Sequence, residues 1–282
     1  MYKVVARAGR RRLAVAGLAA GLGIAVTMLL APDAHAADLM SQARARSVLR
    51  IAVEGTYPPF NFKDPKSGHL TGYDVEVARL VAAGLKLKPQ FVFTEWSAIL
   101  PAVSSGKVDA AVSQVIITPE RERAFDFSVP YTYSSFQLIV RKNERATYRS
   151  LADLKGRKLG VREGSVFEQQ ARAVKGIEVR SYPAVPENLQ DLAFGRIDAS
   201  LDDSLMVNYL LKNSALPIKA GPRVGQDARV GVAIRKGNPQ FRAAVDKILN
   251  EARADGTLRR LSLKWFGIDA SSATRQAGQR TR

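Results

Sequence analysis

The 282-residue chain contains no cysteine and only two histidines, His35 and His69. Without cysteine it has no disulfide, no thiolate metal ligand and no lipid-modified cysteine. His35 lies in an N-terminal leader, and the one histidine that remains leaves a zinc cluster and a Ser-His-Asp triad without their parts. The chain also lacks a Gly-x-Gly-x-x-Gly fingerprint and a phosphate-binding Gly-Lys-Ser/Thr loop. We therefore expect neither a metal nor a cofactor.

The N-terminus has the pattern of a secretory signal. Five basic residues precede an apolar run at 13–30, and the small-x-small sequence Ala-His-Ala follows at 34–36. This pattern predicts a signal peptide over 1–36 and cleavage before Ala37. An uncleaved membrane anchor is the alternative, but the glycines in the run and the small-x-small site favour cleavage. The consecutive arginines leave the twin-arginine route open beside the general secretory route.

The chain is strongly basic, with 43 Lys and Arg against 26 Asp and Glu and a net charge of +17. Removal of residues 1–36 leaves 38 basic and 25 acidic residues, a net charge of +13. We do not expect nucleic acid as a partner, because the protein is exported and its arginines are not interleaved with aromatic residues. An anionic membrane surface or an acidic partner stays open, beside a solvated basic surface with no specific partner.

Length and periodicity predict an α/β fold with two lobes. The chain is 46% hydrophobic and 24% charged, which indicates a globular body, and its length suits two packed units. A strand at 48–53 is followed by a helix at 74–85, a strand at 91–93, a helix at 96–104 and a strand at 109–113. This alternation is typical of mainly parallel sheets with helices on their faces.

An internal repeat supports the two lobes. Residues 100–110 and 189–199, at an offset of 89, both read as helix, glycine turn, basic residue and strand entry. Residues 50–56 and 158–165 match in the same way with one residue inserted. Strand-like segments at 136–140 and 230–234, one after each copy, are expected to cross between the lobes. The predicted division is a signal peptide at 1–36, lobe 1 at 37–140 and 230–269, lobe 2 at 141–229, and a disordered basic tail at 270–282.

The candidate site follows from the sheets, since open α/β sheets bind ligands beyond the carboxyl ends of their strands. In the first copy, Thr118 can cap a short helix with Pro119 in its first turn, which places Arg121 near backbone donors. The planar fork of arginine suits a carboxylate, although a solvated helix residue is the plainer interpretation. In the second copy, Asp203 is either the N-cap of a helix at 204–212 or, across a cleft from Arg121, the partner of an ammonium group.

Two aromatic residues complete the pattern. Tyr57 follows the first strand on a proline-rich loop, and Trp96 begins a helix. Each is a core or anchoring aromatic by default, and each would offer an apolar wall if it lay in a cleft.

Six segments, taken in order, carry a family resemblance. The first three are Glu-Gly-Thr-Tyr-Pro-Pro-Phe at 54–60, Thr-Gly-Tyr-Asp-Val-Glu at 71–76 and Glu-Trp-Ser-Ala-Ile-Leu-Pro at 95–101. The other three are Ile-Thr-Pro-Glu-Arg at 117–121 with Phe-Asp-Phe-Ser at 125–128, Gly-Arg-Ile-Asp-Ala at 195–199, and Asp-Gly-Thr-Leu with Lys-Trp-Phe-Gly near the end. The chain resembles the family 3 extracellular solute-binding proteins of polar amino-acid ABC importers, most of all the cystine-binding members. The resemblance covers about 48–269. It implies a type II periplasmic-binding-protein fold, in which two α/β lobes joined by two crossing strands close on a ligand.

The resemblance also implies roles for residues. Arg121 should clamp the α-carboxylate of the ligand with help from the backbone at Ile116 and Val166. Asp203 should meet the α-ammonium group together with the Gln114 carbonyl. Relatives usually have Ser or Thr in place of Ile116, so one hydrogen bond is lost, worth on the order of 1 kcal/mol. An ordinary α-amino acid stays favoured, and a ligand that lacks one polar group is also admitted.

The side chain of the ligand should meet a second set of residues. Tyr57 and Trp96 should sandwich it, while Glu54 and Arg162 lie where relatives read its far end. Gly164 belongs to the same set of ligand-binding positions.

Residues and resemblance together predict a monomeric, non-enzymatic periplasmic protein that delivers cystine or another polar amino acid to an ABC transporter permease. The enzyme alternative comes from the similarity of this fold to the cyclohexadienyl dehydratases, in which Glu168 would serve as the general acid. Its plainer interpretation is a first-turn glutamate stabilised by the helix dipole. A ligand-sensing module would have the same lobes, but no kinase or membrane segment follows, which favours transport.

Overall fold

The computed structural model describes residues 38–273, in which strands and helices alternate. The strands are β1 (Val48–Val53), β2 (Thr56–Tyr57), β3 (Asn61–Lys63), β4 (Leu70–Thr71), β5 (Lys88–Phe93), β6 (Ala110–Ala111), β7 (Phe125–Phe127), β8 (Thr132–Arg141), β9 (Lys158–Arg162), β10 (Glu178–Tyr182), β11 (Ala199–Asp203), β12 (Ile218–Val230) and β13 (Ala233–Arg235). The helices are α1 (Leu39–Arg46), α2 (Tyr73–Gly84), α3 (Trp96–Ser104), α4 (Pro119–Ala124), α5 (Val166–Arg172), α6 (Val185–Ala193), α7 (Ser204–Asn213), α8 (Pro239–Ala254) and α9 (Thr257–Phe266), with a 3₁₀ turn at Leu151–Leu154.

Two five-stranded sheets share one plan. The first sheet has the order β5-β1-β6-β13-β7 and the second has the order β10-β9-β11-β8-β12. In each sheet the first three strands are parallel, and the last two run antiparallel to their neighbours. The predicted fold of two α/β lobes is confirmed, and we call the parts built on the first and second sheets lobe 1 and lobe 2. The sheets are less parallel than expected, because each ends in two antiparallel strands.

The internal repeat is confirmed down to single hydrogen bonds. In both copies a helix ends at a glycine with positive φ, Gly106 (73°) and Gly195 (76°), and a strand follows. The aspartate at the strand entry then accepts a hydrogen bond from the backbone N–H of the neighbouring strand. Asp109 accepts from Arg50 and Asp198 accepts from Lys158, both at 2.8 Å. The same turn therefore links β6 to β1 in lobe 1 and β11 to β9 in lobe 2.

The helices that cover the sheets follow the predicted periodicity. The bounds of α3 agree with the prediction of 96–104. Along α8 the buried residues Phe241, Val245 and Leu249 recur at four-residue spacing, so one face of the helix packs on the core. The core includes apolar residues of both sheets.

The strands near the lobe boundaries differ from expectation. β8 pairs with β12 from Thr132 to Arg141 and with β11 from Phe136 to Val140, so it belongs to the second sheet, although the expected boundary assigned residues up to 140 to lobe 1. Its residues are buried almost without interruption, as in a central strand with neighbours on both sides. The strand predicted at 230–234 is divided, because β12 ends at Val230 and β13 begins at Ala233. The lobe boundaries themselves stay a prediction.

The start of the predicted tail is packed against the fold. Ala270 is buried, its N–H donates to Ser262 Oγ at 2.7 Å, and its carbonyl accepts from the N–H of Tyr133 at 2.8 Å. The expectation of disorder was therefore wrong at Ala270 and at Ser271, which is also buried, because these hydrogen bonds hold the backbone. The predicted signal peptide, the Ala37 cleavage site and residues 274–282 lie outside the described residues. Within 38–273, no helix has the length and hydropathy to cross a bilayer.

We expect the two copies of the aspartate turn to differ in stability because they differ in burial. The side chain of Asp109 is fully buried and pairs with Arg50 at 2.7 Å, whereas that of Asp198 is 24% exposed and lies 3.7 Å from Arg141. Asp109→Ala should lower the free energy of unfolding by about 2–4 kcal/mol, because it leaves buried donors unpaired. Asp198→Ala should cost about 1 kcal/mol or less. Urea denaturation of both variants checks this, and equal losses would contradict it.

Candidate functional site

A small, mostly enclosed cavity of about 10 Å³ lies beyond the carboxyl ends of the strands of both sheets. It is lined from lobe 1 by Tyr57, Trp96, Gln114, Ile116 and Arg121, and from lobe 2 by Arg162, Ser165, Val166, Phe167 and Asp203. Eight of the ten residues predicted for the site therefore lie around one cavity, and the other two are Glu54 and Gly164. Among residues 38–273 no cluster of three or more acidic or histidine side chains could hold a metal ion.

Asp203 ends β11 and caps α7, as its position predicts. Its Oδ1 accepts from the N–H of Leu205 at 2.8 Å, and its Oδ2 accepts from Ser134 Oγ on β8 at 2.5 Å. Burial raises the pKa of Asp203 to about 7, although these two hydrogen bonds act in the opposite direction. The neighbouring charge of Asp202 also raises the pKa, whereas Arg162 lowers it. The carboxyl group is thus positioned by the fold and titrates near neutral pH.

Arg121 lies in the short helix α4, which begins as predicted. Thr118 is the N-cap, its hydroxyl accepts from the N–H of Arg121 at 3.2 Å, and Pro119 is the first residue of the helix. The guanidinium donates to the carbonyl of Ile116 at 3.0 Å and forms no ion pair with a carboxylate of residues 38–273. Burial, with a smaller effect of the positive charge of Arg162, lowers the pKa of Arg121 to about 10. A partly buried cation without an anionic partner is suited to an anion from outside.

Glu54 and Arg162 form a buried ion pair between the lobes. Glu54 follows β1 and Arg162 ends β9, so the two residues occupy matching places in the two sheets. Arg162 Nη1 donates to Glu54 Oε2 at 2.6 Å, and both side chains are less than 5% exposed. Burial lowers the pKa of Arg162, but Glu54, Tyr57 and Asp202 together outweigh burial, and the pKa lies above its ordinary value. Arg162 therefore stays charged.

The guanidinium of Arg162 also lies between two aromatic rings. Its central carbon is 4.1 Å from the ring centre of Tyr57 and 4.3 Å from that of Trp96. These distances are in the range of cation–π contacts. The two rings predicted to sandwich a ligand side chain thus contact a side chain of the protein itself.

Three buried polar atoms at the cavity lack a hydrogen-bond partner in the described part of the chain. They are Gln114 Nε2, Gln114 Oε1 and Arg162 Nε. Gln114 is 3% exposed and has a left-handed backbone with φ of 49°, so the chain holds this amide in place at a conformational cost. Buried polar atoms almost always have partners, and a ligand in the cavity would supply them.

The remaining predicted residues lie next to the cavity. Glu54 contacts Arg162, which lines the cavity, and the backbone N–H of Glu54 donates to Asn61 Oδ1 at 2.9 Å. Gly164 lines an open groove of about 470 Å³ beside the cavity, and its N–H donates to Glu168 at 2.7 Å. Glu168, in the same groove, also accepts from Arg172 and Ser181. Burial raises the pKa of Glu168, but these hydrogen bonds outweigh burial and the pKa is below its ordinary value.

Several residues that contribute to the site were not predicted from the sequence. Asp202 accepts from the Tyr57 hydroxyl at 2.6 Å, across the two lobes, and its position beside Asp203 was the available signal. Phe167 and Ser165 flank Val166 and line the cavity with it. Nothing in the sequence indicates the contact of Ser134 with Asp203, because the two residues are 69 positions apart.

Comparisons with known proteins agree with this architecture. Residues 49–268 match the family of bacterial extracellular solute-binding proteins, family 3. The L-cystine-binding protein TcyJ of Escherichia coli strain K12 is 40% identical over 236 residues, which are 83% of this chain and 88% of the relative. The L-arginine-binding protein of Pseudomonas aeruginosa is 34% identical over 232 residues, which are 78% of this chain and 88% of that protein.

The fold also matches solved structures. The ancestral amino acid-binding protein AncCDT-1, a precursor of cyclohexadienyl dehydratase, superposes with a TM-score of 0.75 at 34% identity and covers 80% of this chain and 99% of its own. This agreement extends over both sheets and bears out the type II fold of periplasmic binding proteins. The chain belongs to the bacterial extracellular solute-binding proteins of family 3.

Proposed function

We propose that the chain is an exported, periplasmic receptor that binds one α-amino acid between its lobes and presents it to the permease of an ABC transporter. The observation that carries this proposal is the cavity with Arg121 on one lobe and Asp203 on the other. Arg121 would hold the α-carboxylate, and Asp203, with the Gln114 carbonyl, would hold the α-ammonium group. The names of the relatives, which bind L-cystine and L-arginine, support an amino acid as the ligand class.

We call Arg121 and Asp203 together the clamp. Because the two residues lie on different lobes, the clamp couples ligand binding to closure of the cleft. A zwitterion held by a cation on lobe 1 and an anion on lobe 2 is bound fully only when the two lobes approach each other. A ligand with higher affinity for the closed arrangement shifts the population toward it. The permease would then distinguish loaded from empty protein by the distance between the lobes.

Contacts of the protein itself also bridge the cleft. Tyr57 donates to Asp202 at 2.6 Å, and Gln169 donates to Glu120 at 2.9 Å. With the pair of Glu54 and Arg162 they join lobe 1 to lobe 2 at three places. The closed arrangement therefore has stabilising contacts beyond those of a ligand.

The dehydratase alternative receives less support from the geometry. A general acid at neutral pH needs a raised pKa, whereas the hydrogen bonds to Glu168 lower its pKa. Glu168 also lies in the open groove rather than in the enclosed cavity. We infer that the protein binds its ligand without converting it, and that Glu168 has a structural role at the start of α5.

Removal of either side of the clamp should weaken amino-acid binding strongly. Arg121→Ala and Asp203→Ala each leave a desolvated ligand charge unpaired, which costs about 2–5 kcal/mol. The affinity should fall by roughly thirty- to several-thousand-fold. Calorimetry with the tightest amino acid from a screen measures this, with Glu168→Gln as the control that keeps wild-type affinity. Wild-type affinity in Arg121→Ala would refute the carboxylate clamp, and turnover that depends on Glu168 would establish the dehydratase alternative.

The affinity should depend on pH through Asp203. Its pKa of about 7 means that acid protonates the carboxyl group of the empty site, and the neutral acid attracts an ammonium group less. Binding then releases a proton, so the affinity should fall with pH below about 7, approaching about tenfold per pH unit. Asp203→Asn, which cannot titrate, should bind weakly with little pH dependence. A wild-type slope equal to that of the variant would assign the titration to another group, such as Asp202.

Tyr57→Phe should shift the protein toward open molecules, because it removes the hydroxyl that donates to Asp202 across the cleft. A hydrogen bond to a charged group contributes roughly 1.5–3 kcal/mol. Small-angle scattering without ligand should then give a larger radius of gyration than for the wild type. Tyr182→Phe is the matched control, since its hydroxyl donates to Asp191 within lobe 2. An unchanged radius for Tyr57→Phe would show that this hydrogen bond does not hold the lobes together.

A further inference from the structure

The end of the cavity where a ligand side chain would reach contains a complete cation site. A carboxylate, Glu54, and the faces of two aromatic rings, Tyr57 and Trp96, are the groups that bind a guanidinium or an ammonium in proteins. All three groups already contact Arg162. The cation in this site is supplied by the chain.

We propose that Arg162 occupies the subsite for a cationic side chain, so that the cleft selects α-amino acids whose side chains carry no positive charge and accept hydrogen bonds. This inference rests on the proposed amino-acid function and specifies the ligand class. Arg162 thereby acts as a specificity-determining residue.

Arg162 stays at this position because it and Glu54 are both buried and form an ion pair. Arg162 and Glu54 are 2% and 4% exposed, and removal of either charge would leave the other buried and unpaired. A cationic ligand would therefore have to displace Arg162 from Glu54 and from both rings. If it did not, it would approach the like charges of Arg162 and Arg121 in a desolvated cavity, which is unfavourable.

The buried atoms without hydrogen-bond partners indicate which polar groups the ligand side chain should carry. Arg162 Nε and Gln114 Nε2 are donors without partners among the described residues, and Gln114 Oε1 is an acceptor. A hydroxyl, an amide or a carboxylate on the ligand side chain can accept from the two donors. An ammonium group cannot accept a hydrogen bond and leaves both donors unpaired. Charge and hydrogen bonding therefore favour the same ligand class.

The position of Arg162 explains how one lobe can control this subsite. Arg162 ends β9 in lobe 2, whereas Glu54, Tyr57 and Trp96 belong to lobe 1. When the lobes are together, the guanidinium fills the cation site. The selection against a cationic side chain therefore operates in the closed arrangement.

Matched pairs of amino acids test the inference on the wild-type protein. L-homoserine and L-2,4-diaminobutyrate differ only in a terminal hydroxyl or ammonium group, and L-citrulline and L-arginine differ only in a neutral or charged end. Calorimetry with these pairs and the standard amino acids should show the neutral member binding at least about tenfold tighter in any pair that binds, and no cationic amino acid among the tight ligands. Preference for a cationic member overturns the inference. If no α-amino acid binds at all, the proposed function fails as well.

Removal of Arg162 should reverse the preference. Arg162→Ala frees Glu54 and the two rings, so the affinity for L-arginine should rise by about tenfold or more. The double variant Glu54→Gln/Arg162→Ala lacks the carboxylate that would hold the ligand cation and should lose that gain. Arg180→Ala, which removes an exposed arginine from the neighbouring strand β10, should behave as the wild type. A folded Arg162→Ala protein that gains no affinity for L-arginine while it still binds neutral amino acids contradicts the inference, and a thermal melt checks that each variant is folded.

Discussion

The carboxylate of Glu54 and the guanidinium of Arg162 are both removed from water, and each stabilises the charge of the other there. Since the two groups belong to different lobes, this constraint links the approach of the lobes to the composition of the cavity. It places a cation between Tyr57 and Trp96, reduces the space left for a ligand, and sets the charge of the walls that remain. The clamp that we propose for Arg121 and Asp203 lies beside this pair in the same cavity.

The shared plan of the two sheets explains why these residues meet. In each lobe the first parallel strand lies between the second and the third, and the loop that follows it carries a glycine with positive φ, Gly55 or Gly164. Glu54 and Arg162, which lie one and two residues before these glycines, are therefore brought to matching edges, where they meet. A repeat that is visible in the sequence thus predicts which loops face each other, and the charges on those loops decide what can lie between them.

Local patterns in the sequence predicted most of the elements and four of the cavity residues, Tyr57, Trp96, Arg121 and Asp203, whereas the other predicted cavity residues came from the resemblance. Thr118 and Asp203 were recognised as N-caps because capping depends on neighbours two or three residues away. The place of Arg162 between Tyr57 and Trp96 could not be read from the sequence, because it depends on contacts between residues far apart in the chain. The same reason applies to β8, whose membership in the second sheet is decided by its partners β11 and β12, and to Ala270, which is held by Ser262 and Tyr133. The resemblance to relatives indicated Glu54, Tyr57, Trp96 and Arg162 as site positions, but not that their side chains contact one another.

The short helix α4 positions Arg121 but adds no buried residue to the hydrophobic core. None of its six residues is buried by the described part of the chain, so the hydrophobic core does not depend on it. Its first turn is nevertheless what orients Arg121, through the hydroxyl of Thr118. Substitutions in this helix can therefore change how an anion is received while the stability of the protein is preserved. The exposed positions of α4 are therefore tolerant of exchange, provided that Thr118 and Pro119 still begin the helix.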